Sequence, residues 1–341
     1  MMLWGPSMDV FRIGLIGAGS IGTRHIKAID ELALIELVAI ADPAPAAAKL
    51  AESRGLEAFA DAESMLSKTD VDAVIIATPT ERHHADLMMV LKYRKTVLVE
   101  KPITENLFQL EKIKSKLLQK KTSILIYEGF MYKYFPQIKK VLDLVHNNEI
   151  GEIKKIVSNF GVNLLTKNYF YFFKKKKKID KESRLFNKKL GGGSILDLGC
   201  YPVSFITMLL ENLNFVNFED YQILKKNVEI GETGVDIDSK IEMKVNGKIS
   251  IEISSSFKKN IGSTTEIYGS RGSIKILNTW TGSPNIILKK ENDKNIISFD
   301  QIDDIYLDQL NTISDDLLNK NIGQSLDNML LNMKIIDKWL N

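Results

Sequence analysis

The stretch FRIGLIGAGSIGTRHIKAI, Phe11–Ile29, decides the fold. A short apolar run leads into Gly17, Gly19 and Gly22 in G-x-G-x-x-G spacing, and a helical pattern follows. That order is the strand–turn–helix of a dinucleotide-binding unit. Gly17 permits the tight turn, Gly19 lets backbone approach a pyrophosphate, and Gly22 lets helix and strand pack closely. The helix start turns unpaired N–H groups, over Ser20, Ile21 and Gly22, toward phosphate oxygens. A second strand, IELVAIAD, ends at Asp42, twenty residues after Gly22, where an acceptor for a ribose 2′-hydroxyl is expected. Asp42 repels a 2′-phosphate, and Pro43-Ala44-Pro45 brings no arginine, so NAD is expected over NADP.

VDAVIIATPTERHHADL continues the pattern. The strand Val74–Ala77 runs into Thr78, Pro79 and Thr80, and a helix opens. Loops at the carboxyl ends of parallel strands form the binding crevice, so these three residues and His83 are expected to border the cofactor. His84 is expected on the solvated surface. The four histidines, His25, His83, His84 and His146, show no metal-ligand spacing, and no metal is expected.

The next strand is VLVEKPIT, Val97–Thr104, with Glu100-Lys101-Pro102 at its carboxyl end and so in the same crevice. Pro102 holds Lys101 out of the α region, projecting the ammonium from extended backbone. A lysine there can donate to a substrate hydroxyl, and desolvation eases its proton exchange near neutral pH. Glu100 balances or orients it. On chemistry alone, an ion pair at a strand end explains the same residues equally well.

The remainder of the chain sets bounds. With 341 residues, 44% hydrophobic and 26% charged, it is long enough for two domains with their own cores. A net charge of +3 gives no global pointer to nucleic acid. One cysteine, Cys200, fits a reducing compartment, and it reads as a small buried apolar residue. No apolar run reaches the roughly 18 residues of a membrane span. The start MMLWGPSM lacks the basic and apolar regions of a signal peptide, Met8 is an alternative start, and a cytoplasmic protein is expected. Residues 1–90 hold sixteen alanines and 91–341 none, while lysine rises from three to thirty-six. Either base composition drifts along one gene, or two sources join near residues 86–95; the second reading is preferred.

In the second half, Lys174–Lys178 reads as a solvated loop, with a landing site for a phosphorylated or nucleotide-linked sugar as the alternative. SILDLGCYPVSFITMLL reads as a helix with Asp197 and Tyr201 four apart on one face; spacing alone makes Tyr201 a packed aromatic. From Val235 the period becomes two. Asn246-Gly247 is a hairpin turn between alternating strands, and TEIYGSRGSIKIL repeats the habit, giving a mostly antiparallel sheet. The last helix, Ser325–Leu340, carries Leu326, Met329, Leu330, Met333 and Ile336 on one stripe and reads as core packing.

GAGSIGTRH, Asp42, ATPTERH, VLVEKPIT, EGFMYKYFPQ and LGGGSILDLGCYPVS together resemble the Gfo/Idh/MocA oxidoreductases over nearly the whole chain. The resemblance implies an α/β Rossmann domain over residues 1–127, with a doubly wound, mostly parallel sheet. It implies an α+β domain over 128–341 with a large open antiparallel sheet for substrate binding and homo-oligomerisation, its last helix packing back on the first domain. EKP is the family signature, and its lysine, here Lys101, is taken as catalytic, with Glu100 beside the cofactor. Asp197 and Tyr201 match the positions of an acidic and a proton-handling residue; many members have histidine at the second, while those resembling glucose–fructose oxidoreductase, dihydrodiol dehydrogenase and xylose dehydrogenase have tyrosine. Glu128 and Met131, in the segment crossing between domains, and Arg184, in the loop before Gly191–Gly193, are implied substrate contacts. Lys133 stands where the family has arginine, and Phe135 where it often has histidine. The implied activity is hydride transfer between nicotinamide and a sugar, polyol or inositol-like substrate. The alternatives are a silent dinucleotide-binding regulator, an NAD-dependent glycosidase and an inactive hybrid of two related chains.

Overall fold

The computed structural model describes residues 10–120, 124–169, 173–213, 221–291, 293–302, 304–319 and 323–341, with 120, 167–169 and 173–176 described by backbone alone. The chain divides into two compact units. One runs to Thr104 and takes in Phe108–Met131 and Tyr306–Leu326; the other comprises Glu105–Leu107, Tyr132–Ile305 and Asp327–Asn341.

In the first unit, β1 (Phe11–Ile16), α1 (Ser20–Asp30), β2 (Ile35–Ala41), α2 (Pro45–Ser53), β3 (Glu57–Phe59), α3 (Ala62–Lys68), β4 (Ala73–Ile76), α4 (Thr80–Lys92), β5 (Thr96–Glu100), α5 (Leu107–Lys120) and β6 (Ile126–Gly129) alternate. The strands form one sheet in the order β3-β2-β1-β4-β5-β6, and every pair is parallel. All four residues of β4 are buried, because a parallel strand with both faces covered reads as an unbroken apolar run. Strand order reverses at β1 and β4, the place where such sheets bind ligands.

The sequence puts the sixth strand at 123–126; residue 123 lies outside the described residues, and the strand is Ile126–Gly129. Its polar residue does not stop it, since the Glu128 carboxylate accepts the Ile103 N–H at 2.9 Å. The free edge of β6 is served by the segment that returns late in the chain. Gln324 Oε1 accepts the Glu128 N–H at 3.1 Å, and its amide donates to Glu128 O at 3.3 Å. From the helix Leu307–Asn319, Asp316 accepts the Tyr127 hydroxyl. Side-chain amides and helices over a sheet edge prevent pairing with another chain. Tyr306–Leu326 is therefore a late segment that rejoins the first unit, while Asp327–Asn341 belongs to the second.

The second unit contains α6 (Pro136–His146), β7 (Ile153–Gly161), a backbone hairpin of β8 (Thr166–Tyr169) and β9 (Phe173–Lys176), α7 (Cys200–Asn212), β10 (Tyr221–Ile230), β11 (Asp236–Val245), β12 (Ile249–Ser256), β13 (Thr265–Gly269), β14 (Gly272–Ile276), β15 (Asn285–Lys290) and β16 (Asp293–Ser298). Its eight-stranded sheet has the order β10-β11-β12-β7-β13-β14-β15-β16. Only β12 and β7 pair in parallel among these neighbours. Asn246 and Gly247 both have positive φ, 49° and 63°, as a two-residue hairpin turn demands. Ile241, Met243 and Val245 are buried, as are Ile249, Ile251 and Ile253 on the returning strand. The opposite face carries ion pairs instead: Lys155–Glu252, Lys240–Glu252 and Lys275–Glu266.

The helix Leu326–Leu340 buries Met329, Leu330, Met333 and Ile336. The helical stretch Lys188–Asn212 is long and apolar enough to cross a membrane by length and composition, but 89% of its apolar window is buried inside the fold. It is a core element.

Candidate active site

The glycine turn shows the three demands separately. Gly17 has φ +91°, and a Cβ there would meet the Ala77 carbonyl and the Thr78 nitrogen at 2.8 Å. At Gly22 a Cβ would lie 2.1 Å from Gly17 O. At Gly19 a Cβ would meet nothing within 4 Å, so the omitted side chain leaves open space. Gly19 is the N-cap of α1 and provides no side-chain cap. An uncapped helix start beside an open backbone fits a dinucleotide's pyrophosphate. Ser20, Ile21 and Gly22 would hold it. Asp42, half-buried, accepts the Ala18 N–H on one oxygen and the Ala44 N–H on the other, both at 2.8 Å. Its charge is thus fixed between the glycine turn and the start of α2.

The Thr78-Pro79-Thr80 loop lies against the glycine turn through that Gly17 contact. The Thr78 hydroxyl donates to Asp86 Oδ2 at 2.8 Å, and the Arg82 guanidinium holds the other Asp86 oxygen. Pro79 precedes α4 and is exposed; Thr80 is buried in its first turn. His83 is 1% exposed. Its Nε2 lies 2.8 Å from Thr78 O and its Nδ1 2.8 Å from Pro102 O, so the ring addresses backbone. Burial pushes its pKa below the ordinary histidine value, against the pull of those two carbonyls, Glu100 and Asp86. His84 is partly buried, not fully solvated, and burial together with nearby Lys112 lowers its pKa.

Lys101 is half-buried at the end of β5, and the Lys101–Pro102 peptide is cis. Three ionisable side chains hold its loop by backbone groups. Glu100 Oε2 accepts the Lys101 N–H at 3.3 Å, His83 reaches Pro102 O, and Glu128 accepts the Ile103 N–H. Glu100 Oε1 also contacts His25 Nε2 at 2.8 Å. His25 is fully buried, with the Tyr306 ring packed edge-on at 4.7 Å. Burial, with Glu100 next, pushes the Tyr306 phenol up to about 12. Met131 is buried at the end of the first unit.

In the second unit, Asp197 lies in a π-helical turn, Ile195–Gly199, that runs into α7. The α-helical spacing expected for Asp197 and Tyr201 is therefore widened between them. Pro202, which has no N–H to give the turn before it, follows closely in α7. Arg184 donates to Asp197 Oδ1 at 3.0 Å, so the two residues form one charged pair. Tyr201 is buried, edge-on to Phe160 at 5.3 Å and 5.8 Å from Trp280. The Tyr132 hydroxyl and Ser204 Oγ are 2.7 Å apart, and Ser204 Oγ donates to Tyr201 O. Lys133 is half-buried, Phe135 and Cys200 are fully buried, and Lys177 and Lys178 are exposed. The side chains of Lys174–Lys176 lie outside the described residues.

Sequence reasoning missed Asp236. Its Oδ2 accepts the Ser194 hydroxyl at 2.6 Å and the Ile195 N–H at 2.8 Å, anchoring the helix start that carries Asp197 and Tyr201. Burial raises its pKa. In sequence it is one polar residue at the start of a period-two run, and no local signal links it to residue 195. His25 was missed for the same reason, since it looks like a helix residue until the fold brings Glu100 to it; Asp86 was missed although Arg82, four residues before it on the same helix, signals an i,i+4 pair. Among the described residues, no three His, Cys, Asp or Glu side chains gather as a metal site.

Comparison with known proteins follows the same division. Residues 11–128 match the model described as an oxidoreductase family with an NAD-binding Rossmann fold, and residues 138–275 match the GFO/IDH/MocA C-terminal domain. A trans-1,2-dihydrobenzene-1,2-diol dehydrogenase of Xenopus tropicalis is 27% identical over 82% of this chain and 79% of its own. A dTDP-3,4-didehydro-2,6-dideoxy-α-D-glucose 3-reductase of Saccharopolyspora spinosa is 28% identical over 79% and 75%. The structure of a 3-ketoreductase from Actinomadura kijaniata, solved with NADP and TDP-benzene, superposes with a TM-score of 0.81 at 20% identity, covering 96% of each chain.

Proposed function

The chain belongs to the GFO/IDH/MocA oxidoreductase family, and from that premise we propose that it is a dehydrogenase or reductase acting on a sugar, polyol or inositol-like CH–OH group. When bound, the nicotinamide supplies or accepts a hydride. The residues of this chain bind the dinucleotide, position the hydroxyl and move its proton. Lys101 donates to the substrate oxygen and exchanges its proton. Tyr201 is the second proton-handling group, and Asp197, paired with Arg184, orients a hydroxyl. Glu128 and Met131 belong to the substrate segment. The observation that carries the reading is the loop at Lys101, whose backbone is held by Glu100, His83 and Glu128. Fixing one lysine this way suits positioned proton transfer.

NAD is proposed over NADP, because the Asp42 charge is fixed by two backbone N–H groups where a 2′-phosphate would be repelled. The Actinomadura relative was solved with NADP, so NADPH belongs beside NADH in the first titration. Self-association through the eight-stranded sheet belongs to the same reading, and light scattering tests it.

The experiment has two stages. Fluorescence titration with NADH and NADPH establishes the cofactor; equal affinity for the two would remove the preference for NAD. A turnover screen over free sugars, polyols, inositols and nucleotide-linked ketosugars then finds a substrate class. Lys101→Ala should lower turnover by about 10²–10⁴-fold, the usual worth of a proton-transfer group, with NADH affinity within about twofold. Unchanged turnover would overturn the assignment. Cofactor that stays bound through purification, without net reduction, would favour the glycosidase alternative.

A further inference from the structure

Three loops of the first unit end side by side at the sheet's carboxyl edge, and one side chain touches two of them. The glycine turn abuts Ala77 and Thr78, and only the absence of a side chain at Gly17 allows it. Thr78 is fixed to α4 through Asp86, which the Arg82 guanidinium also holds. From the same helix, the His83 ring lies between Thr78 O and Pro102 O, 2.8 Å from each. Pro102 is the residue after Lys101. The ring is 1% exposed, so water does not compete for either contact. A neutral imidazole has one N–H and serves one carbonyl; an imidazolium has two and serves both. In either form the flat ring spaces the two loops rigidly, which an aliphatic side chain of similar size cannot do by hydrogen bonding.

We infer that His83 is a positioning residue for Lys101: it ties the loop that carries the lysine to the Thr78-Pro79 loop against the glycine turn. The inference rests on the proposed catalytic role of Lys101. It adds a physical route by which the dinucleotide-binding loops and the lysine keep one geometry. His83 need not touch substrate or cofactor to act, and its effect should be felt at the Lys101 ammonium before any other lysine. Glu100 and Glu128 hold the same loop on either side of Pro102, so loss of His83 should loosen the loop without unfolding it.

The test needs no substrate. Wild type, His83→Gln and His83→Ala are trace-labelled with isotopic acetic anhydride, and the acetylation rate of each lysine is read by peptide mass spectrometry. In His83→Ala the Lys101 rate should change at least threefold, while exposed Lys338 and Lys112 stay within a factor of 1.5 of wild type. His83→Gln, whose amide restores one N–H, should fall between. If His83→Ala does not fold, His83→Gln alone carries the comparison. A Lys101 rate unchanged in the folded variants would overturn the inference, and so would a uniform change across all lysines. Failure of wild type to bind NADH or turn over any sugar would count against the proposed function and would leave the labelling result standing.

Discussion

Two helix starts answer one physical problem in opposite ways. Each leaves backbone N–H groups without intrahelical partners. At α1 the N-cap is Gly19, no side chain caps it, and the space beside it is open. At Ser194–Ile195 the Asp236 carboxylate arrives from β11 and takes both the Ser194 hydroxyl and the Ile195 N–H. The first start leaves its donors for a ligand. The second spends them on an internal anion, and the turn it anchors carries Asp197. A bare helix start reads as a place for binding, and one occupied by the protein's own carboxylate reads as an anchor.

Substitutions can break this contrast. The largest effect is expected at Gly22→Ala, where the new methyl would face a backbone oxygen at 2.1 Å. A loss of roughly 3–5 kcal/mol in unfolding free energy should appear in denaturant melts; a near-wild-type melt would mean α1 can shift freely. Asp236→Ala comes next. It strands the buried Ile195 N–H, while the Ser194 hydroxyl keeps Ser255 Oγ at 3.1 Å, and should cost about 1–3 kcal/mol, with NADH affinity kept; loss of NADH binding alone would contradict an anchoring role. Gly19→Ala should leave the melt nearly unchanged and weaken NADH binding at least tenfold, about 1.4 kcal/mol. Full binding would show that the open space is not used. The smallest effect belongs to Arg184→Gln. Its guanidinium is half exposed, so stability should move by less than about 1 kcal/mol, whereas KM for a hydroxylated substrate should rise if Asp197 orients it.

What was readable in the sequence follows the same line. The glycine turn, Asp42 and the loop at Thr78 are local patterns, and the turn constraints that generate them act within a few residues. The hairpin at Asn246-Gly247 was readable too, since positive φ restricts residue choice directly. The Rossmann sheet and the antiparallel sheet therefore followed from spacing. Asp236 and His25 did not, because their roles depend on partners distant in sequence; Asp86 was overlooked although Arg82 stands four residues before it on the same helix. The π-helical turn at Ile195–Gly199 was missed because i to i+4 spacing presumes α geometry. The sixth strand was placed early because a glutamate looks like a strand end until its carboxylate finds the Ile103 N–H.

The returning segment also bears on how the protein is made. The edge of β6 is completed by Gln324 and by the helix Leu307–Asn319, so the first unit cannot close when its sheet leaves the ribosome. All of residues 132–305 must be synthesised first. A nascent chain ending near Met131 would present an unfinished edge, since Gln324 and Asp316 that cover β6 come later in the chain. The abrupt change from alanine to lysine falls within the last turns of α4 and the loop to β5, so β1–β4 lie before it and β5 and β6 after it in the same sheet. Whatever produced the change, strands from both sides of it share the first unit's sheet, whose edge is completed only late in synthesis.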